Sequence, residues 1–226
     1  MTPWQRSPHH RGPALVDGRT YDWKLDEVPL DRLVLRPTAV LDVPGEDRHE
    51  ITAEDIDRAV ARGDLRDGDD VLVRTGWATT DKAYDLGDQY CLLGPSWTYE
   101  GCVRMAELMD QHRCGVFMTD APLIMTPLFQ GWGWSTGPER MRPKPKPWPS
   151  IEARERLMKM DHSAITIAPP EIAGQGGYLE LIEKAIAICK CLVDADQISG
   201  PRVKMIMMPL RIRDGGASPC RFVAAQ

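Results

Sequence analysis

Arg74-Thr75-Gly76-Trp77 follows directly on the short apolar run Val71-Leu72-Val73. A strand that ends this way delivers polar and aromatic side chains to one place, where Arg74 can shape a pocket or neutralise an acid, and Trp77 can wall the pocket or simply pack. Asp120 stands in the same position after a second apolar run, Gly115-Val116-Phe117-Met118-Thr119, and is one acid within Arg74's choice. His9 and His10 lie side by side in a Pro-, His- and Arg-rich start without periodic pattern; they read as a solvated tail or as ligands. His49, His112 and His162 sit among charged residues and carry no assigned role. In Cys189-Lys190-Cys191, an alternating strand packs both thiols on one face, which fits better than a metal pair because residues two apart on a strand point the same way. Gly174-Gln175-Gly176-Gly177 lacks the dinucleotide spacing and the Lys-Ser/Thr of a phosphate loop, and reads as a turn into a helix.

The totals narrow the classes. With 28 basic and 33 acidic residues in 226, net charge −5, no broad basic field exists to attract nucleic acid. A hydrophobic content of 42% suits a globular protein, and one domain over 1–226 accommodates the length. No apolar run approaches the ~20 residues that span a bilayer, and the first residues lack the apolar core of a signal peptide, so the expectation is a cytoplasmic protein without a membrane partner. The six cysteines are scattered, with no Cys-x-x-Cys pair, and suggest neither a disulfide framework nor a zinc ribbon.

The positioning elements alternate. Tyr21 to Leu35 reads as an extended lead-in and Ala39 to Val43 as a buried strand. Thr52 starts a helix, with Asp55 three residues on as a capping box and Ile56, Ala59 and Val60 at helical spacing, and Gly63 stops it. The strand Val71 to Thr75 follows, then an irregular segment through Ser96, a helix from Thr98 to His112, and the strand that Asp120 closes. Ser150 caps a third helix, Ala164 to Ile167 forms a strand, Tyr178 to Ile188 a last helix, and Ile188 to Val193, Lys204 to Pro209 and Pro219 to Val223 the remaining strands. The alternation predicts an α/β or α+β layered fold, with a central mixed or barrel-like sheet flanked by helices. Residues 122–149, rich in Pro and Trp, are too long for an ordinary connection and read as a lid or subunit-contact loop. The Pro-Lys alternation there is also compatible with a polyproline helix in a partner's groove.

Several blocks together resemble the cyclase family that also contains bacterial kynurenine formamidase and isatin hydrolase. They are Leu25-Asp26-Glu27-Val28-Pro29-Leu30, Ala39-Val40-Leu41-Asp42-Val43, Glu50-Ile51-Thr52-Ala53-Glu54-Asp55, Arg74-Thr75-Gly76-Trp77 and Met208-Pro209-Leu210-Arg211-Ile212, in family order. The resemblance implies a central sheet flanked by helices, a homodimer or homotetramer, and a divalent metal such as Zn or Mn that activates water against an amide, lactam or ester. In the family the metal sits on a His-x-Gly-Thr-His-x-Asp-x-Pro-x-His stretch, with a further His and a Glu from the C-terminal half. Aligned on that stretch, His10 takes the last histidine and Pro8 the proline, but Arg6 falls on the aspartate and Trp4 on a histidine. The first histidine would precede Met1, which implies a shortened start. Lys190 occupies the place of the glutamate, and Tyr178 falls near the C-terminal histidine. Cations in place of carboxylates repel a divalent ion, so no metal or other cofactor is expected.

Three functions follow. The first is an enzyme that keeps the pocket without the metal and acts on a small-molecule substrate by ring closure, dehydration or isomerisation. Lys190 is then base or hydrogen-bond donor to an enolate oxygen, His10 and Tyr178 handle protons, and Trp77, Arg74, Asp120 and His9 shape the pocket. The second is an arylformamidase-like or lactone-opening hydrolase whose metal is held by His9, His10 and ligands such as Asp120. The third is a non-catalytic subunit using the tryptophan-rich loop as contact surface.

Overall fold

Runs of apolar residues buried on both sides build the centre of this chain. A computed structural model describes residues 23–86, 90–122, 124, 181, 184–185 and 187–225, together with the backbone of 14–16 and 19–21. The strands are β1 (Ala14–Val16), β2 (Arg19–Tyr21), β3 (Arg36–Asp42), β4 (Glu50–Ile51), β5 (Asp70–Arg74), β6 (Ser96–Trp97), β7 (Val116–Thr119), β8 (Ala187–Cys189), β9 (Arg202–Pro209) and β10 (Cys220–Ala225). The helices are α1 (Ala53–Arg62), α2 (Thr80–Leu86), α3 (Tyr90–Leu93) and α4 (Tyr99–Gln111), with 3-10 turns at Leu30–Arg32 and Ala195–Gln197.

Six strands form one mixed sheet in the order β10-β9-β3-β5-β7-β8. β3, β5, β7 and β8 run parallel, and the β9–β10 hairpin joins antiparallel beside β3. Val71 and Val73 of β5 face one core with Leu41, Phe117 and the helices α1 and α4, while Leu72 faces a second with Val40, Met118, Met205 and Met207. Burial on both faces is what an unbroken Val/Leu run in a parallel strand predicts. The second core takes side chains from both edge strands, Cys189 of β8 and Phe222 of β10, so the sheet curls around it. The α/β layered fold with a central mixed, barrel-like sheet is therefore as expected.

Helix α1 begins as its sequence dictates. The Thr52 hydroxyl accepts from Asp55 N (3.2 Å) and Asp55 Oδ2 accepts from Thr52 N (2.9 Å), an exchange worth about 1 kcal/mol. Burial works to raise the Asp55 carboxyl, but these bonds and the charges of His49 and Arg58 bring it below its ordinary range. Gly63 caps the helix end with an extended backbone, and a Cβ there would lie 2.7 Å from Leu41 Cδ2.

Several expectations need correction. The segment before Ser96 contains two short helices, α2 and α3, and the lead-in contains a 3-10 turn. The strand expected over Ile188 to Val193 is confined to Ala187–Cys189, since Cys191 adopts a left-handed backbone (φ 59°) that breaks the alternation and parts it from Cys189. Leu181 and Lys184 are helical, within the expected last helix. The helix from Ser150, the strand at Ala164 to Ile167, the Gly174–Gly177 turn and the 122–149 loop beyond its first residues lie outside the described residues. Among the described residues, no helix is long and apolar enough to cross a membrane.

Candidate functional site

Parallel strands place their carboxyl ends along one edge, which is where open α/β sheets bind ligands. Here β3 delivers Asp42 to that edge, β5 delivers Arg74 to Trp77, β7 delivers Asp120, and β8 is followed by Lys190.

Parallel register puts Asp42 beside Arg74. The guanidinium clasps the carboxylate through Nε (2.6 Å to Oδ1) and Nη2 (3.0 Å to Oδ2). Its Nη1 donates to the carbonyls of Ala195 (3.2 Å) and Ile198. Arg74 thus pairs with Asp42 rather than Asp120, and its donors tie the 195–198 turn to the sheet. It acts as a clamp, and a pocket role for it has to be indirect.

Asp120 is fully buried, and its two oxygens accept from Thr75 N and Gly76 N at 2.8 Å each. Burial pushes its carboxyl above the ordinary range, and these bonds pull in the opposite direction. The Thr75 hydroxyl then accepts from Trp77 N (3.2 Å), and Gly76 takes a left-handed backbone (φ 73°) that a side chain would disfavour. One carboxylate fixes the turn that follows β5.

That turn lays Trp77 into a small aromatic block. Its ring is only 3% exposed, with the Tyr90 ring centroid 4.9 Å away and Lys82 Nζ 4.3 Å from its own centroid. Trp77 Nε1 donates to Asp47 Oδ1 (2.7 Å), and Lys82 lies 3.6 Å from the same oxygen. The indole is therefore a wall filled from behind, with cation–π and charged hydrogen-bond support. Asp194 completes the edge from a distance: its carboxylate accepts from Thr80 N (2.8 Å) and the Thr80 hydroxyl (2.5 Å), bonds that hold it below its ordinary range, and its N–H donates to Ala78 O (2.9 Å).

Lys190 is exposed at this same edge rather than enclosed, because β8 ends one residue earlier and the chain turns away at Cys191. Leu192 N donates to Thr119 O (3.3 Å), which keeps the segment beside β7. The structure thus brings together Arg74, Trp77, Asp120 and Lys190; His9, His10 and Tyr178 lie outside the described residues. Asp42, Asp47, Lys82 and Asp194 were not anticipated. No local spacing signals them, because each reaches its partner through register or from a distant segment.

Among the described residues, the donors at this edge do not fit a divalent ion. Both oxygens of Asp42 are held by Arg74, both of Asp120 by backbone N–H groups, and Lys190 brings an amine rather than a carboxylate to the edge. Among the described residues, no three His, Cys, Asp or Glu side chains form a metal-binding group.

Residues 6–124 match the family model described as Cyclase. Among solved structures, isatin hydrolase A from Labrenzia aggregata bound to benzyl benzoate is similar at 21% identity and TM-score 0.52, over 89% of this chain and 64% of that one. An isatin hydrolase bound to the product analogue thioisatinate is similar at 17% identity and TM-score 0.54, over 96% of this chain and 68% of that one. A structure described as a novel cyclase is similar at 14% identity and TM-score 0.52, over 97% and 66%. The chain thus spans somewhat under two thirds of the length of isatin hydrolase A. No match was found among curated proteins.

Proposed function

The chain belongs to the cyclase family, and on that premise we propose that it is an enzyme acting on a small carbonyl-bearing substrate through acid/base chemistry of its own side chains: ring closure, dehydration or isomerisation. The observation that supports this reading is the edge of the parallel strands, where Lys190 stands exposed beside a turn made rigid by Asp120 and Arg74, while the carboxylates there are engaged internally. An ammonium in that position donates a hydrogen bond to an oxygen on which negative charge develops, a stabilisation that grows toward the transition state. Arg74 and Asp120 hold the floor, Trp77 supports the wall, and His10 and Tyr178, assigned from the family resemblance, move protons.

Metal analysis of the purified full chain tests this directly, with isatin as the carbonyl-bearing probe. The expected results are no stoichiometric divalent ion, no chelator-sensitive ring opening of isatin with added Mn²⁺ or Zn²⁺, and quenching of tryptophan fluorescence by isatin. Lys190→Met weakens that binding about tenfold, the loss of one charged hydrogen bond. A stoichiometric ion whose removal abolishes ring opening would favour a metal-dependent hydrolase instead, and unchanged binding in Lys190→Met would remove the lysine from the site.

A further inference from the structure

The chain that leaves β8 carries one residue too many for its ladder. The parallel register with β7 sets Val116 against Ala187, Phe117 against Ile188 and Met118 against Cys189. Continued unbroken, that register would offer Thr119 O the N–H of Cys191. Thr119 O accepts instead from Leu192 N (3.3 Å). The packing slips by the same step: Ala187 and Cys189 lie on the second core, and the next residue to enter it is Leu192, not Cys191. A hydrogen bond and a packing phase thus independently locate one inserted residue between Cys189 and Leu192. Cys191 supplies the left-handed backbone (φ 59°) on which one class of bulge is built.

The insertion decides where Lys190 goes. In an unbroken strand Lys190 would share the face of Ile188, which packs on the first core. Burying an ammonium there is costly, and Lys190 stands exposed instead. The bulge is held on both sides. Cys189 is fixed by its pairing with Met118, Leu192 is buried, and the Cys191 thiol donates to Pro122 O (3.5 Å). Pro122 seats in turn against Gly94 beside Trp77, since a Cβ on Gly94 would lie 2.2 Å from Pro122 Cγ and 3.0 Å from Trp77 Cζ3. Cys191, Pro122 and Gly94 therefore link Lys190 to the aromatic wall.

Bulges recur on edge strands and next to active sites, where they re-aim a side chain, and β8 is an edge strand of this sheet. We propose that Cys191 is a one-residue bulge that positions Lys190 at the carboxyl edge of the parallel strands, acting through its backbone rather than its thiol. The use made of Lys190 rests on the proposed acid/base chemistry; the bulge itself does not.

Acylation of the full chain by an N-hydroxysuccinimide ester, read lysine by lysine by mass spectrometry, tests the placement, and fluorescence quenching by isatin tests its use. Deleting Cys191 restores the regular register, so Lys190 acylation is expected to be lost while the other lysines still react and the circular dichroism is unchanged. Cys191→Gly keeps the left-handed backbone and is expected to match the wild type in both measurements. Cys191→Val has a branched side chain that disfavours this backbone; it is expected to slow Lys190 acylation and to weaken isatin binding about tenfold, as Lys190→Met does, with no further loss in the double variant. Wild-type acylation of Lys190 in a folded deletion variant overturns the inference. So does wild-type acylation in Cys191→Val, which decides the matter should the deletion variant not fold. Acylation that follows the bulge in a chain that binds no isatin leaves the bulge standing and removes the acid/base role of Lys190.

Discussion

Asp120→Ala lowers the stability of the fold by about 3 kcal/mol, because it leaves the buried N–H of Thr75 and the part-buried N–H of the exposed Gly76 without their acceptor. Each orphaned donor costs roughly 1–3 kcal/mol, with the buried Thr75 N–H at the upper end and the solvent-accessible Gly76 N–H at the lower. Asp120→Asn costs about half as much, since the amide oxygen serves one N–H while its own NH₂ group confronts the other. The deficit also depends on pH. Burial raises the Asp120 carboxyl in the native state, so the wild type binds this proton more tightly folded than unfolded. Its advantage over Asp120→Asn is greatest below the ordinary carboxylate range and shrinks as pH rises through the elevated native value. Urea denaturation of wild type and both variants, at acid and neutral pH, measures each term. A deficit in Asp120→Ala under ~1 kcal/mol would mean that the turn is not held by this carboxylate.

Replacing Arg74 gives the second large effect. Arg74→Met releases the carbonyls of Ala195 and Ile198 and leaves Asp42 unpaired, for a loss of about 2–3 kcal/mol. Most of it comes from the two carbonyls, because Asp42 is more than half exposed and a solvated ion pair contributes at most ~1 kcal/mol. Arg74→Lys recovers only part, since a single ammonium cannot span a carboxylate and two carbonyls in the fork geometry of a guanidinium. Limited proteolysis separates this local role from global loss: cleavage within 190–200 is expected to accelerate in Arg74→Met under conditions where the rest of the fold remains intact. Equal resistance in the two proteins would contradict the clamp.

What could be read from the residues divides by the range of the interactions. The α1 capping box, the Gly63 stop, the buried runs of β3, β5 and β7 and the hairpin strands β9 and β10 carry their instructions within a few residues, and the layered fold followed from them. Helix α2 was missed although Thr79 caps it locally by accepting from Lys82 N (3.1 Å), and its start is also held by Asp194, 114 residues away, which no local pattern announces. The two-residue pairing of β4 with β6 is likewise invisible without knowing that they meet. At the site, Trp77, Arg74 and Asp120 were picked out by position, but their partners were not. Arg74 chose Asp42 over Asp120 through a strand register that only the folded sheet defines. The exposure of Lys190 turns on a left-handed residue at Cys191, a position where no glycine or asparagine signals the bend.

The bonds from Asp194 to Thr80 and from Arg74 to Ile198 also impose an order on biosynthesis. Both join residues separated by more than a hundred positions, so a ribosome-bound chain that has released β5 and α2 still lacks the groups that anchor them. The turn after β5 can close early on Asp120, yet its outer restraints arrive only with residues 194 to 198. The edge that carries Arg74 and Trp77 is then fastened only once residues 194 to 198 have emerged, and a chain stalled before position 194 would present Thr80 and the aromatic block around Trp77 to chaperones in an unfastened state.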